Sequence, residues 1–265
     1  MGRYDDYRML SVRNEDRILT ITLERPDQLN AVNTTLHSEL ARIFVDVKHD
    51  PDADVIVLTG RGRAFSAGGD LDWMDQAIEN PESFEEVGRE AKETVFNQLD
   101  LDKPLICRMN GHAIGLGASL ACLCDIVVAA DTAKIGDPHV SVGLVAGDGG
   151  ALIWPQLCGY TKARYYLFTG EAMTAAEAER IGLVSKVVPA AELDEAVYGL
   201  ARKIAKGPLK AIRWTKITTN LPLKAIFHSH FDAGLAYELM SNLTADHREA
   251  VAAFREKRDP VFIGR

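Results

Sequence analysis

The chain has 265 residues, of which 47% are hydrophobic and 26% charged, enough to bury a large core and typical of soluble globular proteins. No uncharged apolar run reaches the ~20 residues of a membrane-spanning helix, and a net charge of -8 disfavours nucleic acid as a partner. The length favours one large domain over residues 1–206 with a smaller region over 207–265. The first ten residues carry acidic residues and lack an apolar leader, and Asp6 stands where a myristoylation motif needs Ser or Thr, so a cytoplasmic location is expected. Cys107, Cys122, Cys124 and Cys158 form no C-x-x-C pair and are read as core residues, so no metal site is expected.

In chain order, the β-branched runs at 18–23 and 54–59 predict buried strands. Between them Leu36, Leu40, Ile43, Phe44 and Val47 recur at helical spacing, with Asn33 or Thr34 as N-cap. A glycine-rich loop over 60–69 follows and enters a helix at Asp70; a longer helix is predicted over 82–99. Residues 105–108 repeat the pattern: a strand, a turn with Gly111, Gly115 and Gly117, and a small-residue helix from Gly117. Asp125 ends that helix, and 126–130 resumes a strand. Two such units about 50 residues apart predict a stacked, repetitive core. Thr174 and Glu177 have capping-box spacing, 184–188 is a short strand, and Leu193, Val197, Leu200 and Ile204 mark a helix. Beyond Gly207 and Pro208 the periodicity is helical only, with Pro222 and Thr244 dividing at least three segments.

Two motif readings are weak. Gly115-Leu116-Gly117 lacks the third glycine of a dinucleotide loop, which would be Leu120, and no acidic residue follows at a suitable distance. Gly117-Ala118-Ser119-Leu120-Ala121 resembles a nucleophile elbow, but serine inside a small-residue helix is usually a packing residue. A stronger reading takes both glycine loops together. Each starts a helix, where unpaired N–H groups and the positive dipole end favour an anion. Two such donors on one carbonyl would form an oxyanion hole, each worth about 3–4 kcal/mol to a transition state that places charge on oxygen. The substrate would be a thioester that becomes an enolate.

The segments RPDQLNAV, IVLTGRGRAFSAGGDL, KPLICRMNGHAIGLGASLACLCDIVVAAD, AKIGDPHVSVGL and GEAMTAAEAERIGLVSKVV, with the terminal HREAVAAFREKRDPVF, resemble the crotonase (enoyl-CoA hydratase/isomerase) superfamily over nearly the whole chain. The resemblance implies an α/β fold, with a spiral core of repeated ββα units over 1–206 carrying an acyl-CoA site and a helical trimerisation region over 207–265. It also implies a homotrimer or dimer of trimers, and coenzyme A only as part of the thioester substrate, with no other cofactor. By position, the oxyanion-hole amides would be those of Ala67 and Leu116. Asp70 and Leu71 fall where the family's backbone cradles adenine, and Arg25 and Lys257 are candidates for the CoA phosphates.

The chain departs from the family at its two hydratase glutamates, whose places are taken by Ser119 and His139. Histidine, with a reference pKa near 6.5, exchanges protons readily at neutral pH. Asp148, in Gly147-Asp148-Gly149-Gly150, is the nearest acid and is read as a base, as the partner of His139, or as a helix cap. Trp73, Met74 and Trp154 are read as walls of an acyl pocket or as aromatic core. The expected function is enolate chemistry on an acyl-CoA through Ala67, Leu116, His139, Asp148 and Ser119: slow hydration, isomerisation, decarboxylation or hydrolysis. The alternative from another class is a non-catalytic acyl-CoA-binding protein.

Overall fold

The computed structural model describes residues 2–265. Strands β1 (Leu10–Glu15) and β2 (Ile18–Leu23) form an antiparallel hairpin whose two turn residues, Asp16 and Arg17, both have positive φ, as a two-residue turn requires. Helix α1 (Thr34–Lys48) starts where the Asn33 side chain accepts the Leu36 N–H at 3.0 Å, and its Leu36, Leu40, Ile43, Phe44 and Val47 face the core. It carries the chain over to β3 (Val55–Gly60), parallel to β2.

From there the predicted repeat is visible. β3 is followed by a three-residue strand, β4 (Ala64–Ser66), then α2 (Leu71–Glu79) and α3 (Phe84–Asp100). β5 (Leu105–Met109) is followed by β6 (His112–Ile114) and α4 (Leu116–Cys122); β7 (Ile126–Ala130) is followed by β8 (Lys134–Gly136) and a single 3₁₀ turn, His139–Val142. The chain continues through α5 (Gly150–Thr169), β9 (Met173–Thr174), α6 (Ala175–Ile181), β10 (Lys186–Val188) and α7 (Leu193–Ala205) to α8 (Leu209–Ser241) and α9 (Ala245–Glu256). The long strands form one sheet in the order β1-β2-β3-β5-β7-β10, and the short ones a second in the order β4-β6-β8-β9.

β4, β6 and β8 lie parallel, so the three loops leaving their carboxyl ends open on the same side. Ligand sites in α/β sheets favour such strand ends.

Several expectations change. The short strands β4, β6 and β8 went unread because three residues carry too little periodicity to be seen. The small-residue helix begins at Leu116, one residue before the predicted Gly117, because Gly115 already takes the capping position. Pro222 does not divide the C-terminal region: α8 runs through it as one helix of 33 residues, leaving two helices where three segments were predicted. Burial of Phe227, Phe231 and Leu235 in the common core, against α3 and α5, holds the helix across the missing N–H. The 207–265 region is therefore not a detached appendage. An ion pair from the buried Lys216 Nζ to Asp125 Oδ2 at 2.7 Å further fastens α8 to the start of β7. Among the described residues, no helix is long and apolar enough to cross a membrane.

Candidate active site

Two peptide N–H groups at these strand ends have no hydrogen-bond partner among the described residues. They belong to Gly69, in the loop after β4, and Leu116, the first residue of α4. Leu116 sits where the sequence places an oxyanion donor. Ala67 does not serve: its N–H donates to the Leu29 carbonyl at 3.0 Å. Leu29 and Asn30 are both in the left-handed region, and Asn30 is clamped to the glycine loop by 2.9 Å bonds from its side-chain amide to the Arg61 and Ala64 carbonyls. That clamp brings the Leu29 carbonyl onto Ala67 and leaves the free donor two residues later, at Gly69. Gly115, at φ 55 and ψ -124, occupies backbone space that is essentially closed to other residues, and this sharp turn exposes the Leu116 N–H.

The loop after β8 supplies Asp137 and His139. His139 Nδ1 is hydrogen-bonded to Asp137 Oδ1, and its Nε2 lies 3.6 Å from Asp148 Oδ2. Asp148, just before α5, accepts the Ser119 hydroxyl at 3.0 Å and the Gly150 N–H at 3.3 Å on its other oxygen. Asp137 is fully buried, and its Oδ2 has no hydrogen-bond partner. That oxygen rests on Gly150, where a Cβ would lie only 1.9 Å from it. Glu238, on α8, closes the group: its Oε2 is enclosed and unpartnered.

Burial dominates the electrostatics of this cluster. It would lower the His139 pKa, but the charges of Asp137 and Asp148 outweigh it and hold the imidazolium well above the ordinary histidine value. Burial raises Asp148, with His139 only partly offsetting it. It also raises Glu238, with the Asp148 charge adding to the effect, to about 8. Burial thus favours the protonated form of Glu238.

The cluster opens on two adjoining spaces. An inner cavity of about 90 Å³ is lined by His139, Asp148, Glu238 and Leu116, with Trp73 and Met74 among its apolar walls. An outer cleft of about 490 Å³ runs past Asp70, Leu71 and Arg255. Gly69 and His139 line both, so the free Gly69 donor stands at the neck between them. A larger groove, about 820 Å³, lies elsewhere, over the threonine-rich face of β2 and α7, and holds none of these groups.

The sequence model of the family described as enoyl-CoA hydratase/isomerase matches residues 13–265. The chain belongs to the enoyl-CoA hydratase/isomerase family. It is 36% identical to a probable enoyl-CoA hydratase of Mycobacterium bovis, covering 98% of this chain and 99% of that protein. Among solved structures it is similar to an enoyl-CoA hydratase/isomerase from Mycobacterium paratuberculosis, with a TM-score of 0.91, 37% identity and coverage of 94% and 99%. It is also similar to a beta-diketone hydrolase from the cyanobacterium Anabaena, bound to (S)-3-oxocyclohexyl acetic acid, with a TM-score of 0.85, 30% identity and coverage of 92% and 97%.

Seen as a member of this family, the chain brings Leu116, Ser119, His139 and Asp148 into one place, as expected. Ser119 is buried with its hydroxyl on a carboxylate, in the position of an orienting group rather than a nucleophile. Trp154 is not a pocket wall: it is fully buried against Tyr166. The predicted phosphate ligands are poorly placed. Arg25 is held by Asp70 at 2.9 Å and by the Ala31 carbonyl, while Lys257 is exposed at the end of α9 and lines neither space. Arg255, at the cleft, is itself paired with Asp72 and Asp75. Asp137 and Glu238 were missed: Asp137 sits two residues from His139, but nothing in its local pattern shows burial, and Glu238 lies 90 positions beyond Asp148. The cluster that could hold a metal is this same one, since Asp137, His139 and Asp148 bring ligand atoms within 4.8 Å of one another, but both His139 nitrogens already face carboxylates.

Proposed function

We propose that this enzyme acts on an acyl-CoA thioester, binding its carbonyl oxygen on the Gly69 and Leu116 N–H groups and moving protons at the adjacent carbons through His139 Nε2. One observation carries the reading: two unpartnered N–H groups and a buried His–carboxylate cluster meet at the neck between an inner acyl-sized cavity and an outer cleft. As a proton leaves the α carbon, charge gathers on the thioester oxygen, where the two donors stabilise it. Asp137 fixes the imidazole through Nδ1, leaving Nε2 toward the substrate. His139 Nε2 passes its proton to Asp148 and then accepts the one leaving the α carbon, the protonated Glu238 supplies the proton returned to the substrate, and Ser119 orients Asp148. The CoA portion lies in the outer cleft along Asp70 and Leu71. The exposed Trp214, Leu221, Tyr237, Met240 and Phe254 of α8 and α9 support a trimer built through this end of the chain.

A second reading has a specific observation in its favour. A His–Asp pair beside a carboxylic acid is suited to activating water, and the similar Anabaena protein is a beta-diketone hydrolase. Here the His139–Asp148 pair would take a proton from water as the oxygen adds to one carbonyl. The C–C bond then breaks toward the second carbonyl, whose enolate rests on the same two N–H groups and is protonated at carbon by Glu238.

Turnover of 2-enoyl-CoA and 3-enoyl-CoA thioesters and of cyclic 1,3-diketones separates the readings. We expect a thioester reaction that His139→Ala slows by about 10²–10⁴-fold with little change in binding. Tight thioester binding without turnover would make the chain a binding protein, and diketone cleavage alone would establish the second reading.

A further inference from the structure

The inner cavity contains a second buried polar pair that proton transfer does not use. His37, on α1, lines the cavity, is 3% exposed, and places Nδ1 2.7 Å from Glu90 Oε2 of α3. Trp73, from α2, lies against the ring with its centroid 4.9 Å away, and Ala77, Phe84, Val87 and Ala91 make this part of the wall apolar. Glu90 is itself 6% exposed. Burial would raise its pKa, but the His37 bond and charge outweigh that and keep it below the ordinary glutamate value.

An ionised carboxylate in an apolar wall is costly unless its partner is fixed, and here the partner has one edge to spare. His37 Nε2 has no hydrogen-bond partner among the described residues and is not sealed off in the protein interior. Its remaining hydrogen-bonding capacity therefore faces the cavity. An all-hydrocarbon acyl group would bury that nitrogen unsatisfied, which costs about as much as a lost hydrogen bond. Resting on the acyl-CoA reading above, we infer that His37, held by Glu90, is a specificity-determining residue that recognises a neutral oxygen, a carbonyl or hydroxyl, on the acyl group away from the thioester. A carboxylate is disfavoured there because the ionised Glu90 already holds His37.

Binding of saturated thioesters tests this without knowledge of the reaction. The probes are 4-oxopentanoyl-CoA and 5-oxohexanoyl-CoA against their isosteres 4-methylpentanoyl-CoA and 5-methylhexanoyl-CoA, measured by calorimetry. We expect the wild type to prefer at least one oxo ester roughly tenfold, the size of one hydrogen bond. His37→Phe should erase the preference by raising the affinity for the methyl esters, which no longer bury an unsatisfied nitrogen, and by lowering that for the oxo esters. Because His37→Phe leaves the buried Glu90 unpartnered, at a cost to folding, His37→Phe combined with Glu90→Leu replaces the pair by apolar side chains and should give the same loss of preference. Equal binding of oxo and methyl esters by the wild type, or a preference that survives in the double variant, overturns the inference while leaving the acyl-CoA reading intact. Failure of all four esters to bind overturns both.

Discussion

At the residue scale the proposed chemistry rests on one imidazole held between carboxyl groups. Asp137 on Nδ1 sets the ring's orientation and Asp148 faces Nε2, so the proton that moves is the one on the cavity side. Glu238 makes the cluster sensitive to pH. Its folded pKa of about 8 lies above the 4.5 of a free glutamate, so between those values the folded chain holds a proton that the unfolded chain lacks. The stability this contributes is fully present below pH 4.5 and is lost as pH rises through about 8; His139, also raised, acts in the same direction. Urea unfolding across pH 5 to 9 should therefore show stability falling toward alkaline pH, with a shallower slope in Glu238→Gln. An unchanged slope in that variant would mean that Glu238 does not hold the proton. The family pattern pointed to the positions of Ser119 and His139, and Asp148 stood out as the nearest acid. The sequence did not display Glu238, whose role comes only from the packing of α8 over α5.

At the element scale, the site is made by where three short strands end. β4, β6 and β8 are too short to be read from periodicity, yet their parallel pairing aligns the Gly69 donor, the Leu116 donor and the Asp137–His139 loop. The glycines before and after them were legible as turns, but which amide each turn frees was not. That choice depended on the Asn30 clamp, a contact between segments more than thirty residues apart, and it moved the donor from Ala67 to Gly69. The first turn of α5 is equally constrained. A methyl group at position 150 would lie 1.9 Å from Asp137 Oδ2, so Gly150→Ala must displace the carboxylate that orients His139. We expect this variant to remain folded, to lose at least about tenfold in turnover, and to bind thioesters nearly as well as the wild type. Wild-type turnover would show that the Asp137 contact is dispensable.

At the scale of the whole molecule, the two sheets and α8 share one hydrophobic core, while large apolar side chains at the C-terminal end remain exposed. Trp214 is 64% and Met240 63% exposed, values that favour burial against other copies of the chain. Light scattering should give three or six times 29.1 kDa, whereas a stable monomer would contradict this assembly. The repeated α/β core and the helical C-terminal region were legible in the sequence because they depend on patterns spread over many residues. The continuity of α8 through Pro222 was not, because tertiary burial overrode a local signal. The central claim is that the Gly69 and Leu116 donors and His139 together generate an enolate, and it can be tested without knowing the natural substrate. Saturated acyl-CoA esters incubated in D₂O with wild type and with His139→Ala should show, by NMR, α-proton exchange that the wild type accelerates and the variant slows by about 10²-fold or more. Exchange that is absent in the wild type, or undiminished in His139→Ala, would contradict the account.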